Sequence, residues 1–243
     1  MINPCLKMKG RIIRAEPTNS LGLPIVGKIK CGKKSENGYP QSTDYFLASG
    51  KYEGLFHKVY GEKPSTIRIV FPSDDASLVC SEAYEYRDDA GKLVATGDGE
   101  TFRIFSPKAN AYQEFSTEQH PEIMEGVSKK YSSKTGWQVT LTLNFLIPEV
   151  QGVAGLWQFR TKGVASSIPS VRDAFDAMLE EKGKVQGIIF DLSVKFAKSQ
   201  KPGQSSRYPV VTLTANESAD NIEKIMDAIQ VGREKKNLLL SAE

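Results

Sequence analysis

Carboxylates, thiols and imidazoles are the residues that could do chemistry here, and they are thinly spread. Gly97-Asp98-Gly99-Glu100 sets two carboxylates beside flexible backbone, a donor set suited to a divalent cation and so to metal-dependent hydrolysis. The same residues are what a tight turn selects, and the turn is the preferred reading. Asp74-Asp75 and Asp88-Asp89 are adjacent pairs at expected turn positions, where they need only solvent. Cys5, Cys31 and Cys80 are odd in number and lack the close spacing of a zinc knuckle or a disulfide framework. His57 and His120 stand alone, so no Cys/His metal site is expected. No Gly-rich phosphate loop ending in Lys-Ser/Thr, no His-Glu-x-x-His pair and no Gly-x-Ser-x-Gly elbow occurs. Neither a catalytic set nor a cofactor is expected.

Binding residues are better represented. Lys28, Lys30, Lys33 and Lys34 could follow a phosphate backbone, with Tyr39 and Tyr45 near enough in sequence to offer stacking faces. Tyr39, Tyr45, Phe46, Phe56 and Tyr60 form an aromatic set larger than a small basic subdomain can readily hide, which nominates them as a partner-binding face. Trp137 and Trp157 fall among apolar neighbours and are expected in the core. The run 238–240, three leucines after a basic stretch, could fold back or dock.

The elements that would position these residues are mainly strands. Residues 25–31 alternate Ile, Gly, Ile, Cys against Val, Lys, Lys, the period of a half-buried strand, and 35–38 supplies a turn. Residues 52–60 put Leu55, Phe56 and Val59 at helical spacing before Gly61 and Pro64 end the helix. Strands are expected at 67–71, at 83–87 and 92–95 around the turn 88–91, and at 101–105. From 106 to 136 no sustained apolar face appears, and a long connection is expected. Strands at 137–147 and 156–161 read as an antiparallel pair. A helix over 170–182, with Ser170 and Asp173 as its capping arrangement, ends at Gly183. Strands at 187–197 and 208–215 and a helix at 219–231 complete the chain.

This order predicts an α+β fold, β-rich, with mostly antiparallel sheets and a few helices packed on one face. The expected division is a β-rich N-terminal domain (1–115) basic at its start, a connection (116–136), and an α+β C-terminal domain (137–243) in ββαββα order. The chain has 243 residues, 40% apolar and 25% charged, with no apolar run long enough to span a membrane and no secretory core at its start. A cytoplasmic chain is expected. Its net charge of +3 is unevenly distributed. Residues 1–70 hold twelve Lys/Arg against five Asp/Glu, 71–163 nine against thirteen, and 164–243 eleven of each.

Several weak motifs also fall in a suggestive order. They are Gly10-Arg11-Ile12-Ile13-Arg14, Tyr39-Pro40 with Thr43-Asp44-Tyr45-Phe46, and Tyr60-Gly61-Glu62-Lys63-Pro64 leading into Ile67-Arg68-Ile69-Val70-Phe71-Pro72. Gly97-Asp98-Gly99, Leu143-Asn144-Phe145-Leu146-Ile147-Pro148, and Gly155-Leu156-Trp157-Gln158-Phe159-Arg160-Thr161 before Ser166-Ser167-Ile168 follow. Over roughly residues 10–170 the chain resembles the phage-encoded recombination directionality factors of large serine integrases. The resemblance implies a non-enzymatic protein in a bacterial host that binds the integrase, through its coiled-coil and zinc-ribbon region, on attachment-site DNA. It would switch the integrase from attP×attB integration to attL×attR excision, with little or no direct DNA contact of its own. Many relatives carry a short Cys cluster before the Leu-x-Phe-x-x-Pro stretch, whereas 109–136 here contains no cysteine, so no zinc site carries over. The alternative reading is a phage early protein that binds single-stranded nucleic acid through Lys28–Lys34 and the neighbouring tyrosines.

Overall fold

Alternation is the dominant local signal, and in the computed structural model it builds two sheets. The structure describes residues 21–130, 136–199 and 206–216. The strands are β1 (Ile25–Lys34), β2 (Pro40–Gly50), β3 (Thr66–Val70), β4 (Cys80–Arg87), β5 (Leu93–Gly97), β6 (Thr101–Ser106), β7 (Ala111–Ser116), β8 (Trp137–Phe145), β9 (Leu156–Thr161), β10 (Ile189–Lys198) and β11 (Arg207–Ala215). The helices are α1 (Glu53–Tyr60), α2 (Ala76–Val79), α3 (Glu122–Lys130) and α4 (Ser167–Lys182). The expected fold class is the one observed.

An eight-stranded sheet runs β2-β1-β9-β8-β4-β5-β6-β7, and a three-stranded sheet runs β11-β10-β3. Among the described residues every strand pair is antiparallel except β1 with β9. β8 and β9 pair antiparallel as expected, with Leu143 opposite Phe159. Strands from 25–106 and from 137–215 share both sheets, since β1 pairs β9, β4 pairs β8 and β3 pairs β10. A bridge between Val70 and Leu146 joins the two sheets, its N–H···O bonds 2.9 and 3.0 Å long.

One face of the long sheet carries Ile29, Ala48, Phe159, Leu143 and Leu141 into the main core. There they meet Ile67, Ile69, Phe190 and Leu192 of the short sheet, Phe56 of α1, and Ile168, Val171 and Phe175 of α4. Trp157 and Trp137 are both buried, as expected. Gly27 is dictated by packing, because a Cβ there would overlap the Trp157 ring.

Four expectations need correction. The connection expected over 106–136 contains β7 and α3. β7 is an edge strand whose first four residues are exposed, so it carries no apolar alternation, and among the described side chains of α3 Val127 is buried with Ile123 and Met124 half-covered. The helix expected from Ser170 begins at Ser167, since the Ser170 N–H already bonds the Ser166 carbonyl at 3.2 Å, so Ser170 and Asp173 lie inside the helix and do not cap it; Ser167 Oγ accepts the Val211 N–H at 3.0 Å. Asp74 does more than face solvent: its Oδ1 accepts the Val185 and Gln186 N–H groups at 2.6 and 2.7 Å. Asp75 caps α2, accepting the Ser77 N–H at 2.9 Å. The 10–14 motif, Cys5, the helix expected at 219–231 and the leucines at 238–240 lie outside the described residues.

Candidate functional site

The expected binding residues lie on the β1–β2 arm and on α1, which follows it. At the turn of the arm, Ser35 N–H donates to Tyr39 O (2.8 Å), Gly38 N–H to Ser35 O (2.9 Å) and Tyr39 N–H to Ser35 Oγ (3.1 Å). Gly38 takes a φ of +79°, which favours glycine. Tyr39 stands beside this turn with 73% of its surface exposed. Lys28, Lys30 and Lys33 are exposed on β1, and Lys34 pairs in register with Pro40. A register shift between Lys30 and Gly32 separates the lysines into two groups along the strand.

The aromatic set divides by burial. Tyr45 is half-buried, with the Lys63 ammonium 5.7 Å from its ring centre. Phe46 and Phe56 are fully buried, which corrects their expected place on a contact surface. Phe46 meets Phe159 edge-on at 6.2 Å, and Phe56 packs against Tyr60 at 5.2 Å and Trp157 at 5.8 Å. Tyr60 is half-buried and acts as a latch: its hydroxyl donates to Glu149 Oε2 at 2.9 Å and accepts the Arg68 N–H at 3.1 Å. Burial and the adjacent Glu149 carboxylate push its phenol well above the usual range.

The Tyr60–Pro64 motif therefore has a structural meaning. Tyr60 fastens the end of α1 to β3 and to Glu149. Gly61 turns the chain at φ +78°, its N–H reaching His57 O at 2.8 Å. Pro64 is buried and its carbonyl accepts the Phe46 N–H at 2.7 Å. The result is a rigid mount for α1.

What α1 displays was missed in the sequence. Leu55 and Val59, spaced i and i+4, are 41% and 45% exposed, while Phe56 alone is buried. Their spacing beside Phe56 suggested a helix and gave no sign that two of the three face outward. Lys58 lies exposed between them, and Lys51 stands 5.4 Å from the Tyr52 ring. An open hollow of about 680 Å³ separates Gly50 at the end of β2 from Glu53 and His57 of α1. It is wide and shallow, unlike an enclosed small-molecule pocket.

The candidates for chemistry are separated or already engaged. Asp98 Oδ1 accepts the Thr101 and Glu100 N–H groups at 2.8 and 2.9 Å, and the Thr101 bond chiefly holds its carboxyl below the usual range. It serves its turn. His57 Nδ1 lies 3.0 Å from Gly61 O, whereas His120 Nδ1 contacts Glu122 at 3.0 Å. Burial pushes the Cys31 and Cys80 thiols up to about 12, which keeps both protonated and unreactive at neutral pH. Among the described residues no cluster of three His, Cys, Asp or Glu side chains could hold a metal ion, and no helix is long and apolar enough to cross a membrane.

The Gp3-like family, described as recombination directionality factor-like, matches residues 26–216. No curated protein and no solved structure matches the chain.

Proposed function

The chain belongs to the recombination directionality factor-like family, a family of regulatory recombination factors, and from that premise we propose that it binds a large serine integrase and redirects it from attP×attB integration to attL×attR excision. The integrase performs the strand chemistry, and this chain contributes binding energy rather than a catalytic group. The observation that carries the reading is α1: a helix fixed from below by Phe56 and the Tyr60 latch, presenting Leu55 and Val59 outward. Two apolar anchors at i and i+4 on a rigid helix suit a hydrophobic groove on a partner protein.

The contact surface consists of Leu55 and Val59, extended by Tyr39 and Tyr45 of the arm. Phe46, Phe56 and Tyr60 position it. A factor of this kind prefers one arrangement of the integrase coiled-coil and zinc-ribbon region, and it shifts populations only by that difference in affinity. Moving an equilibrium from 1:99 to 99:1 takes about 5.5 kcal/mol, which several bound copies can share.

The test is binding of the full chain to its cognate integrase. Leu55→Glu with Val59→Glu is expected to weaken binding at least about tenfold with thermal unfolding unchanged, since both side chains are already wet in the free protein. Undiminished binding by the folded double variant would remove α1 from the interface.

A further inference from the structure

The face of the long sheet opposite the core is polar, and near β1 it is cationic. Strand alternation sends Ile29 inward, so Lys28 and Lys30 point to the opposite face, where both are exposed. Neither has an ion-pair partner among the described residues. The register continues the Lys28 row across the sheet: Ser49 of β2 on one side, then Gln158 of β9 and Asn144 of β8 on the other. Gln158 Nε2 donates to Asn144 Oδ1 at 3.1 Å.

The next row contains Lys30 and, one residue beyond the Ile29–Phe159 pair, Arg160 opposite Thr142. Glu85 reaches this tract and pairs with the guanidinium groups of Arg160 and Arg87, which leaves Lys28 and Lys30 as the cations without an ion-pair partner. The tract therefore keeps a positive field. Neither row contains an aromatic ring.

We propose that this face binds the phosphodiester backbone of nucleic acid. Lys28 and Lys30 would take phosphate oxygens, with the Ser49 and Thr142 hydroxyls as neutral partners; Arg160 stays paired with Glu85, and Asn144 and Gln158 are occupied by their own bonds, Asn144 Nδ2 donating to Leu78 O at 2.9 Å. Residues two apart on one side of a strand are about 6.6 Å apart, a step comparable to that between successive phosphates on one strand. Backbone contact without stacking or base-edge readout gives orientation without sequence preference. Two unpaired lysines give weak binding by themselves, suited to a protein that meets DNA inside a larger assembly.

The test uses the full chain alone, without integrase, so that its failure leaves the integrase reading standing. Fluorescence anisotropy is measured with labelled single-stranded and duplex oligonucleotides between about 50 and 200 mM salt. Two neutralised phosphates predict a loss of affinity of about seven- to twelvefold over that range, steeper for duplex than for single strand. Comparison of the two forms identifies which backbone the face prefers. Lys28→Glu with Lys30→Glu should abolish binding, and Lys28→Gln with Lys30→Gln should weaken it if the reversal variant fails to fold. Lys184→Glu with Lys195→Glu changes net charge equally at exposed positions elsewhere and should leave most of the affinity intact. Absence of salt-dependent binding to either form, or equal weakening by the two glutamate pairs, would overturn the proposal.

Discussion

Trp157 and Trp137 lie on adjacent strands of one sheet, yet they anchor very different regions. Around Trp157 the main core gathers twenty-five buried residues from both sheets, α1 and α4, whereas the cluster with Trp137 contains Ala95, Phe102 and Val127. Charge follows the same axis. Residues 25–63 carry seven Lys/Arg against four Asp/Glu, and residues 93–125 carry two against six. The basic end stands on a deep core and presents the arm, α1 and the lysine rows. The acidic end folds over a small core of its own. On the proposed reading, a surface that discriminates between two arrangements of a partner needs a rigid mount, and among the described residues the basic end has the deeper core to provide one.

The sharpest way to break this comparison is to truncate each tryptophan. Trp157→Ala should cost about 3–5 kcal/mol and lower the urea midpoint of the whole chain. Trp137→Ala should instead accelerate amide exchange mainly within 93–127, leaving protection in β8–β11. Equal global destabilisation by the two variants would mean one cooperative unit, and the distinction would fall.

Asp74→Ala comes next, with an expected loss of about 2–3 kcal/mol in denaturant unfolding, because it strips two backbone donors of a shared charged acceptor. Tyr60→Phe should cost about 1 kcal/mol by the same measurement, removing the latch while keeping the ring. It should also weaken integrase binding through α1, although Tyr60 itself is not placed at the contact.

The smallest effect belongs to the acidic end. The Thr101 and Glu100 N–H groups depress the Asp98 carboxyl below its ordinary value of 3.8. A depressed carboxylate stabilises the folded state above the unfolded value, and that contribution is lost as pH falls through the folded value. Because Asp98 is exposed, a few tenths of a kcal/mol are expected. Unfolding of Asp98→Asn and the parent between pH 2 and pH 5 is the check, the variant losing this part of the pH dependence.

The fold class, most strands and the β8–β9 pairing were legible because alternation writes burial directly into the sequence. The Asp88–Gly91 turn was equally clear, although Asp88 does more than face solvent, its Oδ1 accepting the Lys92 N–H at 2.8 Å. β7 and α3 were not legible. An edge strand wet on both sides has no apolar period, and a helix that rests on one small cluster needs few apolar residues. Sheet order was hidden for another reason: nothing local in 25–34 announces a parallel partner at 156–161, more than a hundred residues away. The same limit concealed the task of Asp74, whose partners are 111 and 112 positions distant.

At the candidate site, residue type suggested which segment to examine and misjudged the outward-facing side chains. Phe46 and Phe56 had the aromatic area of interface residues and went to the core, while the less conspicuous Leu55 and Val59 stayed outside. Which side of an eight-residue helix faces out is decided by the sheet beneath it.

The central claim is that the chain reverses the preference of a serine integrase by binding it. Its most direct test is recombination in vitro with the cognate integrase, scoring attP×attB and attL×attR with and without the protein. The account predicts that the protein turns on attL×attR and suppresses attP×attB. No change in either reaction, with an active cognate integrase present, would contradict it.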